Sequence, residues 1–230
     1  MKTIFVALFF LSSFTLCFAQ EINTKEIDSL YKEDQFYAGV TYNLLGNIPE
    51  GLNQSGFSLG FHLGFIKDIP INKDRDVAIG IGLGYFANSF NQDLLINKNS
   101  EDNFDYSIIE DSDTFSKNKF SSHLIEVPIE FRWRTSTPTD YNFWRIYTGF
   151  KFGYVLTNSA KYKGDLGDLK FTNIKDFNTF QYGLTLSAGY NTWNVYFYYA
   201  LNPIFSQDAQ LNAENIDMNA IKIGLMFYIL

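Results

Sequence analysis

The sequence predicts an all-β protein: one eight-stranded antiparallel transmembrane β-barrel of the outer-membrane kind, with its N- and C-termini in the periplasm. Three observations predict it. Bulky apolar residues recur at period two in eight separate stretches, the spacing of one face of a strand. The residues between them are rich in glycine and serine with few charges, whereas a sheet face turned to water usually carries Lys, Glu and Thr. The connections run moderate, short, very long, short, long, tight, moderate, the alternation expected when short periplasmic turns face longer extracellular loops.

The N-terminus has the form of a secretory signal, residues 1–19: Lys2, an apolar run from Ile4 to Phe18, and a cleavage point after Ala19 with Cys17 at minus three. A lipoprotein signal ending at Cys17 is the alternative, but Leu16 is a poor fit for the small residue expected before a lipidated cysteine. Cleavage after Ala19 would remove the only Cys and Lys2, taking the net charge from −7 to −8. A mature chain of that kind has no disulfide and no thiol chemistry. Its acidity argues against nucleic acid as a partner, since that needs a basic footprint.

Residues 20–35 are a polar periplasmic lead-in, and the barrel domain spans 36–230. The first strand, Phe36 to Leu45, sets Phe36, Ala38, Val40, Tyr42 and Leu44 on one face. In the second, Phe57, Leu59, Phe61, Leu63 and Phe65 alternate with Ser58, Gly60, His62 and Gly64. The polar KDIPINKDR then leads to a third strand, where Val77, Ile79, Ile81, Leu83 and Tyr85 alternate with Ala78, Gly80, Gly82 and Gly84. Those glycines lie inside a strand with no helix following, so they are not a nucleotide-binding fingerprint; small inward side chains let a narrow barrel close. Residues 91–119 are expected to be a long acidic loop, functional or mobile.

The fourth and fifth strands form the stretch from His123 to Leu156. Ile125, Val127, Ile129, Phe131 and Trp133 face one way, and after a TSTPTDYN break Trp144, Ile146, Phe150, Phe152, Tyr154 and Leu156 do the same. Pro128 falls in mid-strand, where it cannot donate to the ladder, so a bulge or an unpaired neighbouring carbonyl is expected. A second long connection covers about Asn158 to Phe177. The sixth strand (Phe180, Tyr182, Leu184, Leu186, Ala188) turns tightly at Asn191 into the seventh (Trp193, Val195, Phe197, Tyr199, Leu201). A loop from Pro203 to Asp217 precedes the eighth (Ile221, Ile223, Leu225, Phe227, Ile229), placed to close against the first.

Nothing after the N-terminus approaches 18 consecutive apolar residues, so a helical membrane bundle is excluded, while alternating strands average near neutral hydropathy. The competing fold is a periplasmic β-sandwich or lipocalin-like barrel, in which the large residues would point inward. The glycine- and serine-rich small face decides for the membrane barrel, with its apolar face against lipid.

Eight strands leave an interior that side chains fill, so diffusive transport through the centre is not expected. The inward candidates Glu126, Glu130, Arg132, Arg134, Arg145 and Lys151 form a luminal charge network, with the arginines towards the periplasmic rim. A satisfied ionic filling is favoured over a ligand site or gate, because buried charges must pair in any case. Of the two histidines, His62 points inward and His123 outward, which argues against a shared catalytic or metal site. The expectation is a non-enzyme, with no catalytic residues, metal, cofactor or small-molecule substrate.

The stretch HLIEVPIEFRWRTSTPTDYNFWRIYTGFKFGYVL resembles the PorT family of Bacteroidetes outer-membrane barrel proteins. In that family a Leu-Glu-hydrophobic-Pro strand, here Leu124 to Pro128, likewise precedes an aromatic, glycine-containing strand. The resemblance implies the outer membrane of a Gram-negative bacterium, with outer-membrane lipid and other secretion components as partners. It also implies a structural or assembly role in type IX protein secretion, extending to gliding motility. No catalytic motif comes with it. Two other functions are weighed beside this one: a binding barrel that uses the long acidic loop, and a small porin.

Overall fold

The computed structural model describes residues 32–110, 112–135 and 143–229. The signal sequence 1–19, most of the 20–35 lead-in and the 136–142 part of the break between the fourth and fifth expected strands lie outside these residues. Thirteen strands occur among the described residues: β1 (Gln35–Gly46), β2 (Leu59–Pro70), β3 (Val77–Asn91), β4 (Leu94–Lys98), β5 (Phe104–Ile108), β6 (Phe115–Arg134), β7 (Trp144–Gly164), β8 (Gly167–Thr172), β9 (Phe180–Tyr190), β10 (Trp193–Ala200), β11 (Gln210–Leu211), β12 (Glu214–Asn215) and β13 (Asn219–Ile229).

Eight of them close on themselves. The order β6-β3-β2-β1-β13-β10-β9-β7 is antiparallel throughout, and β6 pairs with β7 to complete the ring. The first and last strands meet in unbroken register from Phe36 opposite Ile229 to Gly46 opposite Asn219. The alternation that defines the strands also sorts their faces. Phe36, Leu63, Leu83, Phe152, Phe180 and Val195 are exposed on the outer wall, while Tyr37, His62, Phe86, Gln181 and Asn194 are buried inside. Glycine supplies the missing volume: a Cβ at Gly64 would lie 2.5 Å from the Tyr37 hydroxyl, so the ring fills the lumen only because that side chain is absent.

One end of the barrel carries short connections and the start and end of the described barrel. The β9–β10 link there is two residues long, with Asn191 at φ 55°, a left-handed conformation that asparagine tolerates. The other end carries the four longer connections, at 47–58, 92–114, 165–179 and 201–218.

Several expectations are corrected at this longer end. Residues 91–119 are mostly paired: β3 runs on to Asn91, β4 and β5 form a hairpin, and β6 begins at Phe115. The reason is apolar: Leu94, Ile96 and Tyr106, scattered among acidic and amide residues, are buried over the barrel mouth. The connection expected from Asn158 is likewise strand up to Gly164, and β8 folds back on it from Gly164 opposite Gly167 to Ser159 opposite Thr172. Pro128 produces no bulge of its own. Its register with Lys151 on β7 is intact, and on the β3 side the ladder lapses between Ile81–Ile129 and Gly84–Glu126 without shifting register. The missing N–H costs a ladder bond and no extra residue; the irregularities of β6 lie instead at Phe115/Lys117 and His123/Leu124.

Candidate functional site

The lumen is filled in three layers. At the short-turn end, Asp68 on β2 sits between two arginines of β6, and all three side chains are fully buried. Arg134 donates to both carboxylate oxygens through Nη1 and Nη2 at 2.7 Å each, while Arg132 Nη1 donates to Oδ1 at 2.9 Å. This fork is the strong form of a buried ion pair, two parallel charge-assisted bonds with fixed geometry. Gln35 Oε1 accepts from Arg132 Nη2 at 2.6 Å, and Gln35 in turn donates to Glu33 Oε2 at 2.9 Å. The Arg132 guanidinium lies 4.3 Å from the Tyr147 ring centre. The chain just before β1 is thereby fastened inside the barrel end.

The middle layer is sparser in bonds and richer in rings. Glu126 Oε2 lies 3.4 Å from Lys151 Nζ and 3.9 Å from His62 Nδ1. Lys151 Nζ faces the rings of Tyr196 and Tyr37 at 4.8 and 5.3 Å, and Lys222 Nζ lies over Phe86 at 3.8 Å and Tyr198 at 4.2 Å. Aromatic faces thus stand in for part of the solvent these ammoniums have lost. His62 is stacked on Phe86 with ring centres 3.8 Å apart, and its Nε2 is 3.4 Å from the Thr41 hydroxyl. Hydroxyl, imidazole and carboxylate occur in the order of a hydrolytic triad. The Thr41 hydroxyl, however, donates to Asn43 Oδ1 at 2.9 Å, and 3.9 Å is too long for the imidazole–carboxylate bond that orients a base.

The third layer closes the long-loop end. Phe177 and Phe205 have ring centres 4.5 Å apart, Phe120 lies 5.4 Å from Phe205 and 5.7 Å from Phe177, and Phe90 lies 5.1 Å from Phe120. Tyr106, carried inward by the β4–β5 hairpin, completes this plug at 5.8 Å from Phe205. Its hydroxyl donates to the buried Asp176 carboxylate at 2.9 Å. Burial first, and that neighbouring carboxylate second, push the Tyr106 phenol well above the usual tyrosine range. In the two-residue turn between β7 and β8, Asp165 accepts from the Thr114 hydroxyl at 2.6 Å and its backbone N–H at 3.0 Å, which hold its carboxyl below the ordinary range.

Of the six residues expected to share a network, all are buried, but they do not form one cluster. Glu126 meets Lys151; Glu130 lies 3.4 Å from Arg132 Nε; Arg132 and Arg134 are joined through Asp68. Arg145 stands apart, its guanidinium 4.4 Å from the Phe143 ring centre and 5.7 Å from that of Tyr228. Further charged side chains are buried in the lumen beside these six, among them Glu33, which falls in the expected polar lead-in, Asp68 and Lys222. Asp68 falls in the polar KDIPINKDR stretch yet continues the inward parity of His62, Gly64 and Ile66; Lys222 alternates with the outward Ile221 and Ile223 and so shares the inward parity of β13. Among the described residues no group of three or more His, Cys, Asp or Glu side chains is placed to hold a metal ion.

The family described as "Outer membrane protein beta-barrel domain" matches residues 18–206. No curated protein matches the chain significantly. Among solved structures, Ail, the attachment invasion locus protein of Yersinia pestis, aligns at 12% identity and a TM-score of 0.36, over 86% of this chain and 99% of its own. A mutant of the Rh. blastica porin aligns at 10% identity and a TM-score of 0.20, over 86% of this chain and 100% of its own. At those scores neither alignment bears on function.

Proposed function

Since the chain belongs to the outer membrane protein beta-barrel domain family and so resides in the outer membrane, we propose that it serves type IX protein secretion as a structural or assembly component, contributing to gliding motility where that machinery drives it. In that membrane the short turns face the periplasm and the long loops the exterior. The observation that carries the proposal is the filled lumen. An ionic layer, a lysine–aromatic layer and an aromatic plug occupy the bore in succession, so the working surfaces are the outer wall and the two rims. The PorT-like hairpin from His123 to Leu156 supplies the secretion assignment and lies in β6 and β7, the strands that also hold Arg132, Arg134 and Lys151.

On this view the protein is not an enzyme. Its partners are outer-membrane lipid and other type IX components, and Glu126, Glu130, Arg132, Arg134, Arg145 and Lys151 stiffen the wall that meets them. Deleting the gene should abolish export of type IX cargo while leaving small-solute permeability of the outer membrane intact; unchanged export would overturn the proposal.

A binding barrel is the second reading, favoured by the β4–β5 hairpin, whose 99–103 tip bears Glu101 and Asp102 beyond the plug. Replacing residues 99–103 by a two-residue turn separates the two readings. A binder loses function with the barrel and plug still assembled, and a secretion scaffold does not. A small porin would conduct in planar bilayers, and the filled bore predicts silence there.

A further inference from the structure

The β6–β7 hairpin outruns the barrel. The apolar wall on β6 ends at Ile125 and on β7 at Leu156, yet both strands continue outward, to Phe115 and Gly164, and β8 is added alongside. On the outward face of this extension lysines stand directly opposite one another. Lys117 pairs with Lys163, Lys119 with Lys161, and Lys161 on its other side with Lys170. Like charges directly opposite across strands destabilise a sheet, so the arrangement lacks a structural motive. Among the described residues the one ion pair these five make is Lys163–Asp168 at 4.0 Å, between well-exposed groups. Lys119 donates to the Ser89 hydroxyl at 3.3 Å, and burial together with Lys117 and Lys161 draws its ammonium below the usual lysine range. Protection of a free strand edge accounts for Lys170 on β8, but Lys119 and Lys161 are paired on both sides. All this stands on a chain whose net charge is −7.

Next to the lysines the outer wall is indented. A groove of about 360 Å³ between β2, β3 and β6 has Phe57, Leu59, Phe61 and Ala87 as its apolar side and Ser121 and Lys119 on its polar side. Phe57, just before β2, is 80% exposed, unusual for a large ring unless an apolar medium covers it. The groove continues the lipid-facing wall and ends at cationic charge, so it is apolar towards the bilayer core and positive towards the bilayer surface.

We propose that this face binds phosphate-bearing lipid of the outer leaflet, acyl chain in the groove against Phe57 and Phe61, phosphates against Lys119, Lys117, Lys161 and Lys163. An outer-leaflet lipid is the occupant because the lysines share one face with the lipid-contacting wall and lie just beyond its outer end, where headgroup phosphates are concentrated. A fixed ladder of ammoniums meets several phosphates at once, which relieves the repulsion the ladder carries alone. The inference rests on the outer-membrane location and not on the secretion role, so either can fail alone.

The test uses the full chain folded into phosphatidylcholine nanodiscs doped with bis-phosphorylated lipid A or with its dephosphorylated form. Lipid retained on release from the nanodisc is counted by native mass spectrometry. The wild type should retain the phosphorylated form preferentially. The quadruple variant Lys117→Gln, Lys119→Gln, Lys161→Gln, Lys163→Gln should bind it roughly 10- to 100-fold more weakly, and the corresponding Arg variant should keep most of the affinity. Lys67→Gln with Lys73→Gln, at the periplasmic end, should change nothing. Heat-modifiable electrophoretic mobility establishes that each variant is folded. Equal retention of phosphorylated and dephosphorylated lipid, equal affinity of the Gln variant, displacement by inorganic phosphate at matched ionic strength, or tighter capture of an acidic polypeptide would each overturn the assignment.

Discussion

At the periplasmic end of the lumen one carboxylate, Asp68, takes three hydrogen bonds from two arginines; at the extracellular end rings from Phe90, Tyr106, Phe120, Phe177 and Phe205 meet with a single phenol–carboxylate bond among them. The first closure is built from barrel strands, β2 and β6, and its geometry is concentrated: two buried guanidiniums share one acid, Asp68. The second gathers residues largely from connections, and its stability is a sum of apolar areas that can be lost piecemeal. One bore is therefore sealed by a brittle lock on the wall itself and by a graded stopper carried on the loops. The difference predicts that damage at the first end unmakes the barrel and damage at the second merely loosens a loop.

The strongest challenge to this contrast is Asp68→Ala. It leaves Arg132 and Arg134 buried without their shared carboxylate and should destabilise the barrel by about 3–5 kcal/mol, read as a fall in the urea midpoint in lipid vesicles. Adding Arg134→Met should recover part of that loss, because one of the two buried guanidiniums that shared the lost carboxylate is removed. Phe205→Ala comes next, at about 3 kcal/mol, but confined to the plug. Limited proteolysis should cut within 92–114 or 201–218 while the barrel's own unfolding midpoint stays in place; a parallel fall in that midpoint would show that the two closures are one cooperative unit.

Smaller effects sharpen the second region. Tyr106→Phe withdraws the donor from buried Asp176 and should weaken plug protection by about 1–3 kcal/mol. The phenol's pKa is raised by folding, so its contribution is complete below the unfolded value of about 10 and lost as the pH climbs beyond it. Protease protection of the wild-type plug should therefore decline in alkali, and that of Tyr106→Phe should follow a flatter course. The least effect belongs to Asp165, whose carboxyl is held low by Thr114. Its contribution is present above the unfolded value of about 3.9 and fades as the pH falls through the folded one. Thr114→Val should move the Asp165 titration, followed by NMR, back towards ordinary aspartate.

The barrel was legible because its code is local. Each strand shows the period of two on its own, and the wall from Phe36 to Ile229 follows from parity alone. The stopper was not, for a physical reason: Leu94, Ile96 and Tyr106 are buried by residues distant in sequence and sit among Asn, Asp and Ser that blur any alternation. The luminal charges were half legible. Parity placed all six inside, but pairing depends on which neighbours share a height in a tilted ring, and that brought Asp68 to Arg134 and left Arg145 among rings. Asp68 was missed because polar residues at a strand end look like a turn.

The plug also dictates a sequence of events in time. Three of its rings, Tyr106, Phe177 and Phe205, ride on the segments 92–114, 165–179 and 201–218, which lie on the far side of the bilayer from the short β9–β10 turn, and none of these three meets another until the segments have crossed. The Asp68 lock needs only β2, β3 and β6 paired in turn at the near face. For a chain inserting from the periplasm, the expected order is therefore rear before front, with the mouth shutting last.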